Sequence, residues 1–133
     1  MYVINSQVRL HDTDAAGILF FGNYFKMAHD VYEEFMKSIG FGLQYIIKET
    51  EFLVLISHAE ADYKKPLQLE EKLTINLTVE SIGQTSFVLS YLLKDTQSNI
   101  AATVKTVHVT VDKKSGGKIH LPDKLRVKLE SFK

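Results

Sequence analysis

Cysteine and tryptophan are absent from this sequence of 133 residues, and proline occurs only twice. Without cysteine there is no disulfide framework, no Cys-rich zinc or iron–sulfur site and no thiolate nucleophile. Any chemistry must therefore use Asp, Glu, His, Ser, Lys or Tyr side chains. No Gly/Ser-rich or single-sign stretch marks a linker, so we expect one domain over residues 1–133.

Net charge and long apolar runs are also missing. The 16 Lys+Arg residues balance the 16 Asp+Glu residues, whereas nucleic-acid-binding domains usually carry a basic excess. We therefore expect no nucleic-acid partner. No apolar run approaches the roughly 18 residues that would span a membrane, and the first residues do not resemble a secretion signal. These absences predict a cytoplasmic protein without a membrane span.

The first part of the chain predicts a strand, a polar loop and a long helix. Residues 2–9 read as a strand, and residues 11–17 have turn composition. From Phe20 to about Ile39 the apolar residues recur at spacings of three and four, which is typical of a helix with a wide buried face. Gly40 is placed to end this helix, and residues 42–48 suit a short second one.

Strand patterns dominate from residue 51 to about 112. Residues 51–64, 73–79, 87–93 and 100–111 are rich in β-branched and aromatic residues that alternate with polar ones. Residues 122–131 suit a terminal helix. We therefore predict an α+β fold in which the helix is followed by four strands in an antiparallel meander. A flat sheet would not bury so wide an apolar face of one helix. The five antiparallel strands are therefore expected to form a sheet that curls around it.

An acidic cluster stands immediately before the long helix. His11, Asp12 and Asp14 lie within the turn-like loop. The N-terminus of a helix offers free backbone N–H groups and a positive dipole end, which stabilise developing negative charge. A nearby carboxylate can then act on a polarised carbonyl as a general base or as a nucleophile. The alternative is structural, because Asp also favours helix caps and Asx-turns.

The run from His11 to Tyr24 resembles the signature of the 4-hydroxybenzoyl-CoA thioesterase family, whose members are hotdog-fold acyl-CoA hydrolases. The shared pattern is an acidic residue, a spacer, Asp, two small residues, Gly, two aliphatics, two positions that are mostly aromatic or His, and then Asn-Tyr. The resemblance continues in order over residues 63–67, 82–87, 109–112 and 121–122. It implies a hotdog fold for the sheet and helix inferred above.

The resemblance also implies an activity and a site. Asp14 would be the catalytic carboxylate, and the backbone N–H of Phe21 would polarise the thioester carbonyl. Coenzyme A would be part of the substrate, with no separate cofactor and no metal. Hotdog subunits of this family pair their sheets edge to edge and form the site between protomers, which implies a homodimer or a dimer of dimers. The substrate-binding residues implied by position are Gly17, Tyr24, His29, Lys64, Thr85 and Ser86.

Two features bear on the acyl group. Many relatives that act on short acyl groups have His at the position of Phe21, and Phe favours an aromatic acyl group instead. Residues 29–33, His-Asp-Val-Tyr-Glu, are similar to a His-Glu-Ala-Tyr-Glu stretch in the branch that hydrolyses 1,4-dihydroxy-2-naphthoyl-CoA in menaquinone or phylloquinone biosynthesis. His29 then either contacts the hydroxylated ring or is a structural histidine at the edge of the core.

Other functions remain as alternatives. The chain would be a short-chain acyl-CoA thioesterase of the same family, or a non-catalytic acyl-binding hotdog protein in which Asp14 only caps the helix. A hotdog dehydratase would need a helix-borne His with an acidic residue in a different motif. The His-Asp pairs at 11–12 and 29–30 suit a metal-dependent phosphohydrolase, but that class is built from helices. His58, His108 and His120 are interpreted as structural or surface residues.

Overall fold

The computed structural model describes residues 1–133 and contains five β-strands and three α-helices. The helices are α1 (Asn23–Ser38), α2 (Leu43–Glu49) and α3 (Asp123–Glu130). The strands are β1 (Tyr2–Gln7), β2 (Phe52–Tyr63), β3 (Lys72–Ile82), β4 (Ser86–Asp95) and β5 (Ile100–Asp112). The α+β class and the five strands are as predicted from the pattern, and α1 is the longest of the three helices. No helix is long and apolar enough to cross a membrane.

All five strands form one antiparallel sheet in the order β1-β3-β4-β5-β2. The predicted four-strand meander is therefore wrong in one respect, because β2 pairs with β5 and not with β3. Strand β1 occupies the place beside β3, with Tyr2 opposite Leu77. The meander is limited to β3, β4 and β5, and β2 lies at a sheet edge.

The core lies between α1 and one face of the sheet. The predicted alternation on β3 is confirmed, since its four inward residues are each at most 2% exposed. These are Leu73, Ile75, Leu77 and Val79. On α1, the buried residues follow the helical spacing and include Phe35 and Met36, both with 0% exposure. Because a single isolated helix of this length is marginal in water, burial of this face against the sheet is what stabilises α1.

Helix α1 begins at Asn23, three residues later than the spacing predicts. Phe20 belongs to the preceding turn, where its N–H donates to the carbonyl of Asp12 at 2.9 Å. Phe21 is 62% exposed and does not join the buried stripe. Spacing alone extends the helix too far because two aromatic residues of the turn happen to continue its period.

The polar face of β5 is turned toward the core. Thr106, His108 and Thr110 are buried, although Val107 and Val109 alternate with them. The ring of His108 lies between the rings of Tyr32 and Phe87, with centroid distances of 4.3 and 5.0 Å.

A buried chain of polar groups accompanies this stack. His108 Nε2 shares a hydrogen bond of 2.7 Å with Thr106 Oγ1, which lies 3.0 Å from the hydroxyl of Tyr91. The Tyr32 hydroxyl and His108 Nδ1 have no hydrogen-bond partner within the chain. Burial lowers the pKa of His108 to about 3 and raises the pKa of Tyr32. His108 is therefore a neutral core residue.

We predict that His108 makes the protein sensitive to acid. The unfolded chain binds a proton on this ring near pH 6.5, whereas the folded chain binds it only near pH 3. The free energy of unfolding therefore falls as the pH falls through this window, by up to about 1.4 kcal/mol per pH unit. In His108→Phe that contribution is lost, so urea denaturation between about pH 6 and pH 4 shows a shallower pH dependence.

The control for this experiment is His120→Phe, which alters an exposed ring. We expect its pH dependence to match that of the wild type. Equal slopes for wild type and His108→Phe would contradict the assignment of acid sensitivity to His108.

Candidate active site

The loop between the first strand and α1 is held by its own backbone hydrogen bonds. Asp14 N–H donates to the carbonyl of Ile18, and Gly17 N–H donates to the carbonyl of Asp14, both at 3.0 Å. Gly17 has a φ of +75°, a left-handed conformation that glycine adopts without strain. Its carbonyl accepts a hydrogen bond from Leu69 N–H at 3.0 Å. The loop is thus closed on itself and fixed to the segment that precedes β3.

The two aspartates of the loop have different environments. The carboxylate of Asp12 is buried and accepts the N–H of Arg9 at 3.0 Å. Asp14 is exposed, and its Oδ1 accepts the N–H of Ala16 at 2.8 Å, which is an Asx-turn. Its Oδ2 accepts no hydrogen bond within the chain. Asp14 is therefore the carboxylate of the loop with an oxygen available to a substrate.

Two backbone N–H groups are free where α1 begins. Phe21 and Gly22 donate no hydrogen bond within the chain, whereas Asn23 N–H donates to the carbonyl of Phe20 at 2.9 Å. Free N–H groups at a helix N-terminus carry a partial positive charge and suit an oxyanion or another anionic group.

Asp14 and Phe21 line one cleft of about 440 Å³, a volume that suits a small-molecule site. The residues that line it are Asp14, Ile18, Leu19, Phe21, Tyr24, Tyr63, Lys64, Lys65 and Pro66. Two other surface cavities are larger, at about 570 and 610 Å³, but neither is lined by Asp14 or Phe21. The chemistry of the groups, not the volume, identifies this cleft as the candidate active site.

The cleft is lined by both aromatic and cationic side chains. Tyr63 packs against Tyr24 and Phe21, with centroid distances of 4.9 and 6.4 Å. Burial, followed by the neighbouring Tyr63, raises the pKa of Tyr24. Lys65 forms an ion pair of 2.5 Å with Asp95 and holds the pKa of that carboxyl down, to about 2. No ion pair involves Lys64 within the chain, so its charge is available to a ligand.

The structure brings together four of the residues predicted from sequence, Asp14, Phe21, Tyr24 and Lys64. Gly17 shapes the loop and does not line the cleft. His29 lies further along α1, where its Nδ1 is 3.4 Å from Glu33 Oε2 and its ring packs on Tyr32.

Thr85 and Ser86 lie at the other end of the sheet. Ser86 pairs with Val109 of β5, whereas Tyr63 of the cleft pairs with Ala102. These two positions on β5 are about 23 Å apart at roughly 3.3 Å per residue. Within one chain, this pair therefore does not lie beside the carboxylate of Asp14.

Sequence reasoning assigned no role to Tyr63, whose hydroxyl donates to the carbonyl of Phe21 at 2.9 Å. The two residues are 42 positions apart, and no spacing pattern connects them. The only sequence signal was the resemblance over residues 63–67, which did not indicate this contact.

The chain belongs to the thioesterase-like superfamily, whose family model matches residues 8–129. It is 32% identical to a 1,4-dihydroxy-2-naphthoyl-CoA hydrolase of Rippkaea orientalis over 93% of this chain and 91% of that protein. A hydrolase of the same name from Nostoc punctiforme is also 32% identical, over 98% of this chain and 87% of its own.

Solved structures agree with this family. The crystal structure of a 1,4-dihydroxy-2-naphthoyl-CoA thioesterase from Synechocystis superposes with a TM-score of 0.90 at 28% identity, covering 96% of this chain and 94% of that one. A gentisyl-coenzyme A thioesterase gives a TM-score of 0.85 at 25% identity, covering 96% of this chain and 98% of that one. Both proteins are named for a hydroxylated aromatic acyl group.

We predict that Gly17→Ala destabilises the loop. A Cβ at this position meets no atom within 4 Å, so the effect comes from the positive φ and amounts to about 1 to 2 kcal/mol in the free energy of unfolding. Urea denaturation measures it. The control is Gly117→Ala, because Gly117 does not have a positive φ and its Cβ would be in ordinary contact with Ser115. Equal stabilities of the two variants would contradict the prediction.

Proposed function

We propose that this protein hydrolyses an aromatic acyl-CoA thioester to the free acid and coenzyme A, with 1,4-dihydroxy-2-naphthoyl-CoA as the preferred candidate. The observation that carries this proposal is the meeting, in one cleft, of the free Asp14 oxygen with the helix turn that leaves Phe21 N–H unpaired. The names of the relatives support the substrate class.

In the proposed reaction the thioester carbonyl oxygen accepts the N–H of Phe21. One such donor is worth on the order of 100- to 1000-fold in rate, because it stabilises the oxyanion that develops. Asp14 then either removes a proton from the attacking water or attacks the carbonyl carbon itself to give an anhydride that water cleaves. In both forms the C–S bond breaks, the acid is released, and the CoA thiolate takes up a proton. The scheme uses no cofactor beyond the substrate's own coenzyme A.

The aromatic walls of the cleft support an aromatic acyl group. Phe21, Tyr24 and Tyr63 offer ring faces and edges, which favour offset or edge-to-face packing with a planar ring. Lys64 is proposed to contact a CoA phosphate, since Lys65 is already paired with Asp95. For His29 we propose a contact to the hydroxyl groups of the substrate's aromatic ring, in a site that a second copy of the chain completes.

A second copy of the chain is proposed to complete the site. Strand β2 is a sheet edge with a row of unpaired backbone groups, and it exposes Leu55 and Ile56 by 49% and 45%. Such an edge favours pairing with another strand. A two-fold axis through the middle of β2 would bring the Thr85–Ser86 end of the second copy's sheet to the same end as Tyr63 of the first copy. We therefore propose a homodimer, which in turn can form a dimer of dimers.

The chain acts as one hotdog domain over residues 1–133, with its sheet curled around α1. The buried face of α1, which includes Phe35 and Met36, supports this arrangement. The cytoplasmic location stays a prediction.

The competing function is acyl binding without catalysis. Its support is the Asx-turn, in which Asp14 Oδ1 accepts the N–H of Ala16 and so already has a structural role. The following experiment separates the two functions.

We predict that Asp14→Asn abolishes thiol release from 1,4-dihydroxy-2-naphthoyl-CoA, lowering kcat by at least about 100-fold, while the amide oxygen preserves the Asx-turn. A thiol reagent follows the reaction. The control is Asp30→Asn, which removes an exposed carboxylate of α1 that pairs only with Lys26. Thiol release that is undiminished in Asp14→Asn would contradict the catalytic role.

The same assay, run with a panel of aryl and alkyl thioesters, tests the substrate class. We expect the aryl thioesters to give the higher kcat/KM. Faster hydrolysis of short alkyl thioesters would favour a short-chain acyl-CoA thioesterase. Binding without any thiol release would favour a non-catalytic acyl-binding protein.

We predict that Ile56→Lys disrupts the proposed dimer. The charge lies on the β2 edge, where lysine opposes edge-to-edge pairing. Analytical ultracentrifugation is expected to give a monomer, with loss of most of the thioesterase activity and a folded circular dichroism spectrum. The control is Ile47→Lys on α2, where the side chain is 58% exposed and lies outside β2. A monomeric and fully active wild type would contradict the two-copy site.

A further inference from the structure

A single hydrogen bond joins the end of β2 to the turn that precedes α1. The hydroxyl of Tyr63 donates to the carbonyl of Phe21 at 2.9 Å. The Tyr63 ring is held by its contact with Tyr24, which is only 3% exposed. Tyr63 itself is 44% exposed, so this hydroxyl is not part of the core.

The peptide group that accepts this bond carries one of the two free N–H groups. The carbonyl of Phe21 and the N–H of Gly22 belong to the same peptide unit. Within the helix turn, this carbonyl accepts only the N–H of Tyr24, at 3.4 Å, which is longer than an ordinary N–H···O bond. Tyr63 therefore supplies the shorter of the two contacts that hold this peptide unit.

The neighbouring Phe20–Phe21 peptide unit is held without a side-chain hydrogen bond. The N–H of Phe21 shares its unit with the carbonyl of Phe20, and that carbonyl accepts the N–H of Asn23 at a normal 2.9 Å. Both units thus have their carbonyl bonded and their N–H free, but one is held by the helix turn and the other mainly by Tyr63.

A hydrogen bond to a carbonyl also strengthens the N–H of the same peptide. Hydrogen bonds in a chain polarise one another, and each bond is strengthened by about 10–30%. The phenol of Tyr63 therefore both orients the Phe21–Gly22 peptide and increases the partial positive charge on Gly22 N–H.

We propose that Tyr63 is a positioning residue for thioester hydrolysis, holding the Phe21–Gly22 peptide so that Gly22 N–H joins Phe21 N–H in stabilising the oxyanion. This inference rests on the proposed function, because it assigns a second donor to the same site. It makes the oxyanion hole of this chain a two-donor site whose second donor depends on a side chain from β2.

The first test is Tyr63→Phe, which removes the hydroxyl and keeps the ring against Tyr24. Because the N–H of the held peptide acts on the oxyanion that develops in the transition state, kcat is expected to fall by on the order of tenfold, the rate equivalent of one hydrogen bond. KM is expected to change by less than about twofold. The control is Tyr45→Phe, the same substitution at a side chain of α2 that is 48% exposed; it should match the wild type.

The second test measures the carbonyl directly. Benzoyl-CoA labelled with carbon-13 at the carbonyl is bound to Asp14→Asn and to Asp14→Asn/Tyr63→Phe, where turnover is blocked, and its infrared stretch is recorded. We expect a lower frequency than in water for the first protein and a smaller shift for the second. Loss of structure alone does not produce this pattern, and the melting temperature of each protein is recorded alongside.

The outcomes separate this inference from the proposed function. An unchanged kcat in Tyr63→Phe, or an equal carbonyl shift in both Asp14→Asn proteins, overturns the positioning role and leaves the thioesterase assignment intact. A higher KM with an unchanged kcat also overturns it, because the hydroxyl would then contact the substrate itself. A wild type that releases no thiol from any thioester overturns the proposed function, and the inference with it.

Discussion

The backbone carbonyl of Asp12 is the point on which the site depends. It accepts the N–H of Phe20 and the side-chain amide of Asn23, both at 2.9 Å. The first bond closes the loop that carries Asp14, and the second ties that loop to the first residue of α1. A carboxylate on a loop and N–H groups at the start of a helix can act on one carbonyl group only if their separation is fixed, and these two bonds fix it.

The fixed conformation of this loop also explains why the carboxylates of Asp12 and Asp14 have different surroundings. Asp12 lies under the loop with its carboxylate on the N–H of Arg9, so its negative charge is used to hold the backbone. Asp14 is two residues further on, on the exposed side, and keeps one oxygen free. Its Asx-turn is no argument against catalysis, because the turn engages Oδ1 alone and so orients Oδ2. No side chain caps α1, so the structural role left to Asp14 is the Asx-turn, and that turn is compatible with the proposed catalysis.

The sequence predicted those features that depend on local period and composition. The alternation at Leu73–Val79 and the apolar face of α1 report burial directly, because each follows from the geometry of one element. Strand pairing is different, since the pattern of β2 is equally suitable beside β3 or beside β5. The choice is made by β1, which occupies the edge of β3 through residues far away in the chain. Likewise, the pattern of β5 does not show that His108 is enclosed, because the rings that stack on it come from α1 and β4, while its hydrogen-bond partner Thr106 lies on β5 itself.

The sequence predicts those residues of the site that belong to one motif, but not those that reach the site through tertiary contacts. Asp14 and Phe21 are found from a contiguous motif, whereas Tyr63 reaches Phe21 only because β2 ends beside the turn. The position of β2 as an edge strand then has two consequences for one site. It delivers Tyr63 to the cleft, and it leaves a strand on which a second sheet can pair. Phe21, which is 62% exposed in one chain, lies at that same corner. In the proposed dimer, the second copy would cover this ring, which one chain alone leaves in water beside an unpaired sheet edge.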